Sequence, residues 1–156
     1  MAMPKPRVYA DANLFVKVLN KEVNHEICFA VLEAAERKDI QLVASRLLPV
    51  EIRARSGDVK GRKYADDIVH RFLDTAGVEW VEVDVMVSRE ARRLGWGWNL
   101  KAADAIHLAT AVWRKADHLM TFDTHFPLGK TVEGVQVSKP RIVWAPTLTD
   151  GEKTAP

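Results

Sequence analysis

Four acids in this 156-residue chain have the types and positions to do chemistry together: Asp11, Glu51, Asp104 and Asp123. Asp104 opens a stretch in which Ala105, Leu108, Ala109 and Val112 recur at the spacing of one buried helix face. Asp123 ends Leu119-Met120-Thr121-Phe122-Asp123, an apolar run that stops at an acid as a buried strand does on emerging into a loop. Asp11 ends the first strand candidate, and Glu51 lies about one and a half turns into a helix after the second. Open parallel sheets bind ligands at the carboxyl ends of their strands. Carboxylates crowded there repel one another, and a hard divalent cation with a preference for oxygen, Mg²⁺ or Mn²⁺, relieves the repulsion. Each acid also has a plainer reading. Asp11 can be a helix N-cap, Asp104 a complement to the helix dipole, Asp123 a turn former and Glu51 a solvated helix residue.

The elements that must position these acids follow from apolar periodicity. Strands are expected at 7–10, 40–44 and 78–83, before Asp123, and in extended pieces at 135–137 and 142–144. Between them lie helical patterns. Leu14 to Leu19 forms a short buried helix, and Asn24 caps a second with Ile27, Val31, Leu32 and Ala35 inward. Ser45 caps the helix bearing Glu51. The stretch 60–75 is amphipathic, with Tyr64, Ile68, Phe72 and Leu73 as core positions, and Gly77 closes it. Asp84 or Ser88 starts a helix that stops at Gly95, and a Trp96-Gly97-Trp98-Asn99 loop follows. Alternating strands and helices predict an α/β fold: one domain over 1–145 with a mostly parallel sheet flanked by helices on both faces, and a loose tail at 146–156.

Bulk composition narrows the classes. A hydrophobic content of 47% and a charged content of 28% suit a globular domain. No apolar run approaches the roughly 18 residues of a membrane helix, and residues 1–7 carry no apolar stretch of a secretory signal. The single cysteine, Cys28, forms no internal disulfide and no metal-binding cluster, so a reducing, cytoplasmic setting is expected. The net charge of +2 does not by itself announce a nucleic-acid partner. The eight glycines are scattered singly, which excludes a phosphate-cradling loop, and no Gly-x-Ser-x-Gly elbow offers a serine nucleophile.

Asp11-Ala12-Asn13, Leu48-Pro49-Val50-Glu51, Ala103-Asp104-Ala105-Ile106-His107-Leu108-Ala109 and Thr121-Phe122-Asp123 together resemble the four motif blocks of PIN domains, and most closely the VapC-like toxins of toxin–antitoxin pairs. The resemblance spans about residues 7–144. It implies a five-stranded parallel sheet and a Mg²⁺- or Mn²⁺-dependent endoribonuclease that hydrolyses RNA with an activated water. It also implies homodimers and a small antitoxin partner whose tail covers the acidic pocket. By carry-over, Asp11, Glu51, Asp104 and Asp123 are the catalytic metal ligands, and Asn13 and Thr121 the polar helpers that orient them.

Other residues bear on substrate. Arg46, Arg53 and Arg55 flank Glu51 and could guide phosphates, or be solvated helix charges. Trp96 and Trp98 could stack on unpaired bases or contact a partner, or pack at a domain or dimer surface. His107 is expected to be a helix residue satisfied by hydrogen bonding rather than a general base. The alternative to a nuclease is a catalytically silent PIN-fold scaffold that binds RNA or a partner. A receiver-like phosphoryl switch lacks both the adjacent N-terminal acid pair and the late lysine it would need.

Overall fold

A computed structural model describes residues 4–53 and 59–145. The expected break at 56–58, Arg55 and the tail at 146–156 lie outside the described residues. The chain runs β1 (Arg7–Ala10), α1 (Ala12–Leu19), α2 (His25–Glu36), β2 (Gln41–Ser45), α3 (Leu48–Glu51), α4 (Val59–Thr75), β3 (Glu79–Val81), α5 (Val85–Trp98), α6 (Ala102–Trp113), β4 (His118–Met120), β5 (Thr131–Val132) and β6 (Val135–Ser138). One sheet has the order β3-β2-β1-β4-β6-β5. Every pairing is parallel except that of β5 with β6. The order reverses between β1 and β4, which leaves a crevice at the carboxyl ends of those two strands.

Side chains alternate across a strand, so the buried strands feed two cores. Val8, Ala10, Leu42 and Ala44 pack with α1, α2 and α4 through Leu14, Phe15, Val31, Ala35, Val69 and Leu73. Tyr9, Val43 and Leu119 face the opposite way and pack under α5 and α6 through Val87, Leu94, Leu108 and Ala111. Tyr9 is thereby the β1 side chain buried in the core beneath α6, a position that matters at the site.

Four expectations are corrected. The sheet has six strands, not five: Thr131–Val132 turns back on Val135–Ser138 as a hairpin at the edge, and 142–144 forms no strand. Tyr64 and Ile68 are not core residues. They are 70% and 42% exposed, whereas the expected Leu73 is buried, Phe72 is half-buried against the core, and Val69 is buried as well. Periodicity identified the helix and the C-terminal half of its inward face. Trp96 to Trp98 are helical rather than a loop, because α5 continues past Gly95 to an Asn99 cap with φ +53°. Gly95 is spent on packing: a Cβ there would lie 3.1 Å from the Ala105 Cβ of α6. Finally, Asn24 occupies the cap position of α2 but makes no side-chain capping bond.

Candidate active site

Asp11 is delivered by the last turn of β1 into α1. Its backbone N–H pairs with the Met120 carbonyl at 3.1 Å, which locks the ends of β1 and β4 side by side. Its Oδ1 accepts from the Ala12 N–H at 2.7 Å, so the N-cap reading of this residue is realised. Its Oδ2 accepts from the Thr121 hydroxyl at 2.8 Å. Thr121 is fully buried and is the hub of this corner. The same Oγ1 accepts from Asn13 Nδ2 at 3.1 Å and from the Asp123 N–H at 3.0 Å, which uses its one proton and both lone pairs. A single hydroxyl thus ties the β1 exit, the first turn of α1 and the β4 exit together.

Asp104 stands in the first turn of α6. Burial pushes its carboxyl above the ordinary range, and so do Asp123, Asp11 and Glu51, while His107 pulls it down. Asp11 is pushed up by burial too, opposed by His107, Thr121 and the Ala12 N–H. Asp104 therefore sits in the field of all three other acids that the sequence singled out, although they come from four separate segments. Asp123 is anchored by His125, whose backbone N–H and Nδ1 lie 2.9 and 2.7 Å from its Oδ1.

Glu51 closes α3, which is only four residues long and has Leu47 as its N-cap. The Ser45 cap and the longer helix expected from the sequence are thus corrected: the Ser45 Oγ instead accepts from the Leu47 N–H at 3.1 Å in the turn before the helix. The Glu51 Oε1 bonds to His107 Nε2, one turn along α6 from Asp104 and on the same face. The His107 ring is fully buried, and its Nδ1 bonds to the Tyr9 hydroxyl. The expectation of a hydrogen-bond-satisfied His107 is met. Tyr9 is the residue that the sequence reading missed. The available signal was its inward place on an alternating strand, because a buried tyrosine hydroxyl requires a partner.

Chemically the donor set is carboxylate oxygen, suited to a hard cation. Asn13 Oδ1, beside Thr121, is a buried oxygen with no hydrogen-bond partner, a further acceptor left for a ligand. Among the described residues no three His, Cys, Asp or Glu side chains close into a ligand cage, and Glu51 is engaged by His107. The residue types and the crowding of charge fit a hard divalent ion; closing a coordination shell would require side-chain movement.

The substrate candidates separate. The Arg46 guanidinium stacks on Trp80 at 4.9 Å and bonds to Glu82 at 3.1 Å. Arg53 is exposed, with its Nε 3.3 Å from the Val50 carbonyl. Trp98 is half-buried with Lys130 over its ring at 5.4 Å, whereas Trp96 is 81% exposed. Cys28 is buried and its thiol is pushed up to about 11, which suits a packing residue and not a nucleophile.

A sequence model of the PIN domain matches residues 8–128, from the core of β1 to just past Asp123. The chain belongs to the PIN-domain family. It is 31% identical over 113 residues to "Ribonuclease VapC45" of Mycobacterium tuberculosis (strain CDC 1551 / Oshkosh), covering 69% of this chain and 76% of that protein. Its fold is similar to the VapBC2 complex from Rickettsia felis bound to a promoter DNA fragment (TM-score 0.62, 16% identity, 85% of this chain and 98% of that one). It is also similar to a toxin–antitoxin complex from Klebsiella pneumoniae (TM-score 0.58, 21% identity, 82% and 94%). Among the described residues no helix is long and apolar enough to cross a membrane.

Proposed function

We propose that this PIN-domain protein is a metal-dependent endoribonuclease, the toxin of a toxin–antitoxin pair. The observation that supports the reading is that the Asp104 carboxyl is pushed up by burial and by the charges of Asp123, Asp11 and Glu51, acids from distant segments near the crevice between β1 and β4. The similarity to a ribonuclease of the VapC type supports the choice of RNA as substrate. In this reading Asp11, Glu51, Asp104 and Asp123 hold Mg²⁺ or Mn²⁺, and Asn13 and Thr121 orient them. The ion would activate water and stabilise the charge that develops on the phosphate during in-line displacement. Thr121 fixes the direction of Asp11 and the backbone leading to Asp123, and His125 holds Asp123 from the far side. Arg53 and Trp96 are free to meet a phosphate and a base, whereas Arg46 is already committed to Trp80 and Glu82. A small antitoxin partner is supported by the similarity to toxin–antitoxin complexes, and a homodimer belongs to the same proposal.

The test is cleavage of a mixed RNA pool with Mg²⁺, Mn²⁺ or EDTA, comparing wild type with Asp104→Asn. Cutting that needs the cation and is lost in the variant supports the reading. The engagement of Glu51 by His107 favours a second reading, a silent RNA- or partner-binding scaffold. That reading takes over if wild type binds neither cation and cuts no RNA.

A further inference from the structure

A chain of hydrogen bonds, buried except at its Glu51 end, runs Ser45–Tyr9–His107–Glu51. It joins β2, β1, α6 and α3. Tyr9 and His107 are both fully buried, with their rings edge-to-face and centroids 5.6 Å apart. Directionality in this chain is fixed by counting protons. The Tyr9 oxygen accepts from the Ser45 N–H at 3.2 Å. Burial in an apolar core keeps the phenol protonated, and its pKa is pushed up accordingly. The phenol proton must then go to an acceptor, since a buried hydroxyl without one is costly, and its partner is His107 Nδ1. An imidazole that accepts at Nδ1 carries its hydrogen on Nε2, and Nε2 faces Glu51 Oε1. The opposite tautomer would set two donors against each other at Tyr9 and two acceptors at Glu51.

We propose that Tyr9 and His107 are positioning residues that hold Glu51 by a one-way relay: the Tyr9 hydroxyl donates to His107 Nδ1, and His107 Nε2–H donates to Glu51 Oε1. Glu51 Oε2 is left as the carboxylate's open oxygen. The relay compensates for the weakness of its carrier. α3 is four residues long, and Glu51 is its last residue, so the helix alone cannot hold that side chain in one direction. A rigid strand and the interior of α6 do so instead. The functional consequence rests on the metal-nuclease reading, in which partners of ligating carboxylates tune affinity for the ion. The relay itself is a statement about hydrogen bonds and is testable without activity.

The experiment has two readouts. Long-range ¹H–¹⁵N correlation spectra of the histidines give the His107 tautomer, assigned by its loss in His107→Gln. Mn²⁺ titration by calorimetry gives affinity for wild type, Tyr9→Phe, His107→Gln and His107→Leu, each checked for a cooperative melt. The expected wild-type spectrum has the hydrogen on Nε2, and Tyr9→Phe mixes the tautomers while leaving the ring in place. Outer-shell losses of this kind weaken metal binding roughly 10–100-fold. Tyr9→Phe and His107→Leu should therefore each weaken Mn²⁺ binding about 10-fold or more, with His107→Gln, which keeps an N–H donor, recovering part of the loss. A wild-type His107 protonated on Nδ1 overturns the relay, as does a tautomer unmoved by Tyr9→Phe. Variants that bind Mn²⁺ as wild type does also overturn it. Wild type that binds no Mn²⁺ defeats the nuclease reading, and the tautomer spectrum then still decides the relay.

Discussion

Removing one charge from the acidic crevice should stabilise the fold while abolishing its use. Asp104 is half-buried at the start of α6, and Asp123, Asp11 and Glu51 all raise its pKa. Asp104→Asn keeps the size and removes the charge. A pair of unit charges 4 Å apart repels by about 1 kcal/mol at the dielectric of water and about 4 kcal/mol near a protein surface. Because Asp104 is half-exposed, the lower end applies, and three neighbours at longer range together contribute about 1–3 kcal/mol. Against this stands the loss of a negative charge in the first turn of a helix, about 0.3–1 kcal/mol. The net gain is about 1–2 kcal/mol, or a Tm higher by about 2–8 °C in EDTA for a domain of this size. A cation reverses the order. At about 100 times its Kd, Mn²⁺ adds about 2.7 kcal/mol to a protein that binds it, and on the metal-nuclease reading the variant would lack one ligand. Differential scanning calorimetry in EDTA and then in Mn²⁺ should show the two melting curves exchange places. A variant that melts lower than wild type in EDTA refutes the crowding argument. Equal responses of the two proteins to Mn²⁺ refute the role assigned to Asp104.

Three further outcomes are expected. The EDTA advantage of Asp104→Asn should depend on pH. Because the folded pKa lies above the unfolded value of 3.8, protonation favours the fold, so wild-type stability from this group is present below 3.8 and lost as pH rises through the folded pKa. The Tm gap between variant and wild type should accordingly close as pH falls toward 3.8, and a gap that is constant with pH contradicts the shift. Thr121→Val, of nearly the same shape, strands Asp11, Asn13 and the Asp123 N–H in a buried corner; urea unfolding should register a loss of about 1–3 kcal/mol together with greatly reduced RNA cleavage. Gly95→Val forces α5 and α6 apart, because even a Cβ at that position would lie 3.1 Å from the Ala105 Cβ, and chemical denaturation should show a cost of about 1–3 kcal/mol. Unchanged stability there means that the helices do not depend on this close approach.

Much of the fold was legible because two periods dominate the chain. The apolar runs of β1, β2 and β4, the N-cap at Asp84 and the face of α6 follow from alternation or helical spacing and are observed. The failures have local causes. The edge strand β5 has only two residues, too few to show a period, and its pairing with β6 depends on the turn at Gly134, where φ is +92°. Gly95 read as a helix end because glycine usually weakens a helix, yet here the missing Cβ admits the neighbouring helix. Tyr64 and Ile68 match an amphipathic pattern, but the buried positions are Val69, one residue after Ile68, and the expected Leu73. At the site, the places of Asp11 and Asp104 at element ends were legible, whereas Glu51, expected one and a half turns into a helix, ends a four-residue one. The groups that hold them were harder to read. Thr121 appeared only as a helper, and Tyr9 not at all, because a hydrogen bond spanning 98 residues leaves no local mark.

The hub at Thr121 also orders events in time. Asp11 leaves the ribosome well before its Oδ2 partner, which is 110 residues further along the chain. β4, which that partner directly follows, is flanked by β1 on one side and by β6 at Val135–Ser138 on the other. Contacts that join such distant segments form late, after the closure entropy of the long intervening loop has been met. A nascent chain made past Asp123 but not yet through Ser138 therefore holds Asp11, Glu51, Asp104 and Asp123 while β4 lacks one of its two neighbours. On the nuclease reading proposed above, the crevice would be complete only once β6 is in place, and a partner that covers it would be needed from that moment.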